Sequence, residues 1–143
     1  MSLDLLFDAS AIFIGYKRGY EKYMEKQYTI SLAVYELGNA VWKECFIHKS
    51  ITPQEAEEIV DAISELLELM TIIPIDKPTK SIMRKALKFG ITYYDAAYVE
   101  VAEEKNLLFV TEDNKLYNAI KGKIKTDVLK LEEIRKLNTP NQP

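Results

Sequence analysis

The chain has 143 residues and 48% hydrophobic side chains, the size and composition of one domain with its own core. Nineteen basic against 22 acidic residues leave a net charge of -3, which excludes a protein held to nucleic acid mainly by bulk positive charge, so any such contact must be local. One cysteine, Cys45, excludes an intramolecular disulfide and a cysteine zinc cluster and reads as a buried apolar thiol; with no basic leader before Asp8 and no apolar run near the ~18 residues of a membrane span, a cytoplasmic protein is expected.

Leu3 to Phe7 is an apolar run that stops at Asp8, and Ala9 to Tyr16 continues at helical spacing, so a strand runs into a helix. Tyr28 to Ser31 predicts a second short strand. From Leu32 to Trp42 only Glu36 and Asn39 are polar, the pattern of a helix buried on most sides. Thr52-Pro53-Gln54-Glu55 combines an N-cap, a proline at the first helical position and a reciprocal glutamate, so a helix begins there and runs to about Met70. Thr71 to Ile75 is β-branched and short. Thr79 to Phe89 is helical in pattern, with Gly90 as its stop, and Thr92 opens another helix. Leu107 to Thr111 predicts a buried strand, followed by a helix from about Asp113 to Lys121, a weak strand near Thr126 to Leu129 and a short helix from Leu131 to Leu137. Residues 1–137 then form one domain and 138–143 a frayed tail.

Short apolar strands alternating with amphipathic helices imply a parallel sheet of four or five strands, covered by helices on both faces. In such sheets ligands bind beyond the carboxyl ends of the strands, where the strand order reverses. Asp8 and Asp113 both fall at such ends. Each also has a plain alternative as a helix cap, and Asp95 stands three positions after Thr92 at capping-box spacing. Asp95 nevertheless shares its helical stripe with Tyr98, Val99 and Ala102, where an unpaired charge is costly. Glu36 and Asn39, spaced i, i+3, project from one side of their helix, although a solvent-facing Glu36 fits the same wheel. Hard cations such as Mg²⁺ and Mn²⁺ prefer oxygen ligands, and clustered carboxylates repel one another unless a cation sits among them. No Cys/His or Ser/His set competes for a catalytic role, and His48, the only histidine, is given none.

Four segments in order, Phe-Asp8-Ala-Ser10-Ala, Tyr-Glu36-Leu-Gly-Asn39-Ala, Tyr-Asp95-Ala-Ala-Tyr98 and Val-Thr111-Glu-Asp113-Asn, resemble the PIN domain, and their spacing is similar to that of VapC-type toxins of prokaryotic toxin and antitoxin pairs. The resemblance spans Leu5 to about Leu131. It implies a three-layer PIN-like sandwich and a metal-dependent endoribonuclease in which Asp8, Glu36, Asp95 and Asp113 bind Mg²⁺ or Mn²⁺ and position water. Ser10 and Thr111 would support them by hydrogen bonds, and Asn39 by reaching the ligands or the phosphate. It further implies an RNA substrate, a small antitoxin partner and a homodimer.

Asn114-Lys115-Leu116 follow Asp113 where many relatives carry another acid and an aromatic, so Glu112 is left as a substitute ligand or a solvated residue. Lys17, Arg18, Lys43 and Lys115 are candidate phosphate contacts. The apolar stripe Ile59, Ile63, Leu66, Leu67 and Met70 suits either a groove for a partner helix or ordinary core. Two other readings remain. One is a silent PIN-like binding module. The other is a phosphoacceptor receiver domain using Asp76, Thr111 and Lys130, which would leave Glu36 and Asp95 unexplained.

Overall fold

The computed structural model describes residues 3–138. Five short strands, β1 (Leu5–Phe7), β2 (Tyr28–Ile30), β3 (Thr71–Ile73), β4 (Leu108–Val110) and β5 (Val128–Leu129), pair in the order β3-β2-β1-β4-β5, every neighbouring pair parallel. Parallel strands require crossovers, and helices supply them: α1 (Ala9–Lys17), α2 (Glu21–Met24), α3 (Leu32–Trp42), α4 (Pro53–Glu68), α5 (Lys80–Phe89), α6 (Tyr93–Lys105), α7 (Asn114–Ile120) and α8 (Leu131–Asn138). The expected α/β sandwich is therefore present. Its five-strand sheet has Leu6, Phe7, Ile30, Phe109, Val110 and Val128 wholly buried.

Strand order reverses between β1 and β4, which run side by side in the register Leu5↔Leu108, Leu6↔Phe109, Phe7↔Val110. The crevice beyond their carboxyl ends is the switch point at which such folds bind ligands. This order also disposes of the receiver-domain reading. In the receiver order 2-1-3-4-5 the third strand lies next to the first. Here β2 separates β3 from β1, which carries Asp76 away from Asp8.

Local signals behave as their chemistry dictates. Thr52 and Glu55 form the reciprocal capping box of α4, the Thr52 hydroxyl accepting from the Glu55 amide at 3.1 Å and the Glu55 carboxylate from the Thr52 amide at 2.9 Å. Gly90 ends α5 in the left-handed conformation, at φ 65°. Two elements have no counterpart in the sequence reading: the one-turn α2, and a π-helical turn, Lys43–Ile47, that extends α3. That turn corrects the expectation for Cys45, which is half-buried and lines a groove beside α4 instead of lying in the core. No helix among the described residues is long and apolar enough to cross a membrane. Most of the expected tail lies outside the described residues, and α8 runs to Asn138.

Candidate active site

Because β1 stops at Phe7, Asp8 is the first residue past the strand. Its side chain caps α1 by accepting from the Ala11 amide at 2.9 Å. The capping role is real, but it occupies only part of the carboxylate. The same Oδ1 accepts from the Ser10 hydroxyl at 2.6 Å, and Oδ2 accepts from the Thr111 hydroxyl at 2.5 Å. Thr111 is the residue after β4, fully buried, and stands opposite Asp8 because Phe7 pairs with Val110. Each hydroxyl that donates to Asp8 accepts in turn from the loop after β4: Ser10 from the Glu112 amide at 3.0 Å, Thr111 from the Asp113 amide at 3.1 Å. The two strand ends are thus laced together around one carboxylate.

Asp8 is 4% exposed, and burial pushes its carboxyl up to about 7, opposed by the Ser10, Thr111 and Ala11 bonds and reinforced by repulsion from Asp95. Glu36, half-buried on α3, is raised by burial and by Asp95 and pulled back by the Tyr98 hydroxyl, which donates to its Oε1 at 2.7 Å. Asp95, in the first turn of α6, is raised by burial and by Asp113, and the Thr92 side chain opposes the shift. Asp113 caps α7, accepting at Oδ1 from the Leu116 amide at 3.1 Å, and is exposed. Asp95 is therefore the common neighbour, sensing or sensed by each of the other three.

None of the ion pairs among the described residues includes these four acids. Asp8, Glu36 and Asp95 are each raised by burial with a further push from a neighbouring acid, and an unpaired group of oxygen donors of this kind is the donor chemistry of a hard divalent cation. As the side chains stand, no three acidic, histidine or cysteine groups among the described residues are close enough to enclose a metal ion. Asp113 Oδ1 is held by its cap and Glu36 Oε1 by Tyr98, each leaving its second carboxylate oxygen available.

A cleft of about 570 Å³ opens beside this edge, lined by Ser10, Glu36, Asn39 and Lys43 among others. Asn39 thus shares a wall with Glu36, as its i, i+3 spacing requires. Glu112 points elsewhere: Oε2 accepts from the Leu131 amide at 2.8 Å and Oε1 lies 3.6 Å from Arg18, tying the loop after β4 to the start of α8. Lys17 is likewise engaged, with Glu44.

Tyr98 is the residue whose part the sequence did not disclose. By spacing it belongs to an apolar stripe, yet its ring stacks on Phe109 with centroids 6.3 Å apart while its hydroxyl reaches Glu36. Burial and the nearby Glu36 raise its pKa, so it stays a donor. The available signal was that a buried tyrosine three residues after Asp95 must place its hydroxyl somewhere polar. Tyr98→Phe keeps the ring and removes that donor. Once metal-dependent activity is in hand, the metal concentration for half-maximal cleavage is expected to rise about tenfold, the usual cost of losing a partner one step outside the ligands. An unchanged metal requirement would show that Glu36 does not need the bond.

A family model described as PIN domain matches residues 5–122. Exonuclease VapC9 of Pyrobaculum aerophilum is 32% identical over 131 residues, covering 90% of this chain and 95% of that protein. Ribonuclease VapC3 of the same organism is 29% identical over 122 residues, 80% of this chain and 92% of the relative. Among solved structures, PAE2754 from Pyrobaculum aerophilum superposes with a TM-score of 0.75 at 29% identity, over 96% of each chain. A toxin-antitoxin complex from Klebsiella pneumoniae shares the fold at a TM-score of 0.58 and 17% identity, over 88% of this chain and 96% of that one.

Proposed function

Since the chain belongs to the PIN domain family, we propose that it is a cytoplasmic, Mg²⁺- or Mn²⁺-dependent endoribonuclease, the toxin of a toxin and antitoxin pair. The observation that carries the proposal is the set of four carboxylates outside any ion pair among the described residues at the β1/β4 switch point, in which Asp95 adds to the burial that raises Asp8 and Glu36 and is itself raised by burial and by Asp113. Asp8, Glu36, Asp95 and Asp113 are the residues that would hold the ions. A divalent cation held by them would supply a lowered pKa for an attacking water and offset charge on the phosphodiester. The chain's own contribution is positional. Ser10 and Thr111 fix the Asp8 carboxylate by donating to both of its oxygens, Tyr98 fixes Glu36, and the Asp113 cap sets where α7 begins. Asn39 and Lys43, which line the cleft wall, would meet phosphate oxygens. The name of VapC3 supports RNA as substrate.

An antitoxin reading has its own support in an apolar groove between α3 and α4. Val34, Leu37 and Val41 face Val60, Ile63 and Leu67 across it, and Gly38 lines it with open space where its Cβ would stand. Any larger residue at 38 would fill the groove. Of the expected stripe, Leu66 and Met70 serve the core and Ile63 and Leu67 line this groove, while Val60, outside the stripe, is 46% exposed at its edge. The groove continues past Trp42 and Phe46, stacked at 5.3 Å and both largely exposed, in the shape an amphipathic partner helix fills. Homodimerisation belongs to the same proposal, with Met83 and Leu87 on α5 as exposed apolar surface for it.

The purified protein is expected to cut RNA with Mn²⁺ or Mg²⁺, to stop with a chelator and to resume when metal is returned in excess. A circular RNA distinguishes internal cleavage from trimming of ends, a distinction made pertinent by the name of VapC9. Cleavage that persists in chelator would remove the metal from the proposal, and an untouched circle beside a degraded linear RNA would replace endonuclease with exonuclease.

A further inference from the structure

Two tyrosines line the cleft beside the acids, and neither is explained by packing. Tyr35, on α3, is 78% exposed and Tyr94, on α6, is 59% exposed. Each directly precedes one of the proposed ligands, Tyr35 before Glu36 and Tyr94 before Asp95, so two separate helices deliver an aromatic ring to the cleft that Glu36 also lines. Neither ring stacks on another aromatic or lies under a cation among the described residues. Open aromatic faces in a substrate cleft suit a ligand with its own flat π surface.

The electrostatics point the same way. A chain of net charge -3 whose site is built of acids gains little from general attraction to phosphate. Lys43 is the one cationic side chain on the cleft wall among the described residues. Beyond Lys43 and the cation that the acids would hold, binding energy for a polynucleotide must then come from the bases. Base–aromatic stacking contributes about five- to a hundredfold in affinity per base and tolerates any base identity. It also requires an unpaired base, because a duplex keeps its π faces inside.

We propose that Tyr35 and Tyr94 form a base-stacking subsite that holds unpaired nucleotides next to the bond being cut, with Lys43 on the adjoining phosphate. The inference rests on the ribonuclease reading and assigns to that site the residues that grip its substrate.

The test uses the full chain with Mn²⁺ and a single-stranded oligoribonucleotide carrying 2-aminopurine beside the cleaved bond. Tyr35→Ala and Tyr94→Ala are each expected to raise KM about tenfold while kcat stays within about twofold, and Tyr→Phe at either position to restore KM. 2-Aminopurine fluorescence should be quenched on binding the unaltered chain and much less with the alanine variants. Both side chains are surface-exposed, so the fold is not at stake, and sedimentation of each variant reports its assembly state. An unaltered chain that cuts the oligonucleotide while both alanine variants keep its KM overturns the subsite alone. A rise in KM that appears only together with a change in sedimenting mass assigns the tyrosines to contact between protein copies and also overturns it. Failure of the unaltered chain to cut any RNA removes the ribonuclease reading and the subsite with it.

Discussion

Asp8→Asn is expected to reduce metal-dependent RNA cleavage by about a hundredfold or more, beyond what loss of a supporting partner costs, while making the metal-free protein more stable at neutral pH. The two effects share one cause. Asparagine can still accept from the Ala11 amide and the Ser10 hydroxyl, and its amide can donate to Thr111 Oγ1, so the lacing of the strand ends survives. What is lost is a negative charge that the metal-free fold holds only at a cost. Asp8 titrates near 7 in the folded chain instead of near 3.8. Below about pH 4 the carboxyl is protonated in both folded and unfolded chains and contributes no difference. Between about pH 4 and 7 the unfolded chain gives up this proton and the folded chain does not, so stability falls as pH rises, by on the order of 4 kcal/mol in total. Above 7 the penalty is constant.

Thermal unfolding of the metal-free proteins from pH 4 to 8 measures this directly. Other carboxylates, such as Glu100 and Asp127, are lowered by lysine partners and impose the opposite slope on both proteins, so the informative quantity is the difference between Asp8→Asn and the unaltered chain. That difference should widen in favour of the variant up to about pH 7, and added Mn²⁺ should close it by stabilising only the unaltered chain. Parallel curves for the two proteins would refute the buried, destabilising carboxylate, and full cleavage by the variant would sink the assignment of Asp8 as a ligand.

The other large effect belongs to Phe109. It sits wholly buried on β4, flanked in the sheet by β1 and β5, with Tyr98 stacked against it. Phe109→Ala removes most of a large side chain from a site that cannot collapse, because the backbone is fixed on both sides by strand pairing. A loss of about 3–5 kcal/mol is expected, a large part of the roughly 5–15 kcal/mol that holds a domain folded. Calorimetry should register it as a fall in Tm of about 10 °C or more. Phe109→Leu should cost much less. Because the ring also backs Tyr98, the alanine variant should need more metal for cleavage even at temperatures where it remains folded. A Tm within a degree or two of the unaltered chain would contradict the packing described here.

Much of this arrangement was legible in the chain itself, in the places where a local rule decides the outcome. The α4 cap was written in Thr52, Pro53 and Glu55, the end of α5 in Gly90, and the strand before Asp8 in an apolar run with a sharp end. The four acids could be named as candidates, but their joint position depended on the family resemblance, since each also has a local explanation and two of the caps do exist. What stayed hidden depends on partners far along the chain. Glu112 could not be turned away from the acids without knowing that the Leu131 amide waits for it. Tyr98 looked apolar until Glu36, 62 residues earlier, came within reach of its hydroxyl. The π-helical turn after Trp42 lengthens a helix without a proline or glycine to announce it.

The pairing of β1 with β4 sets a schedule on the emergence of activity. Asp8 leaves the ribosome early, but the threonine that orients it lies 103 residues later, and Asp113 follows that. Until β4 docks against β1, a nascent chain has the first acid of the site and none of the lacing that holds it. Under the proposed ribonuclease reading, the chain therefore has no complete site to turn on its own message for most of its synthesis, and the interval in which the proposed antitoxin would act opens only as the last quarter of the chain appears.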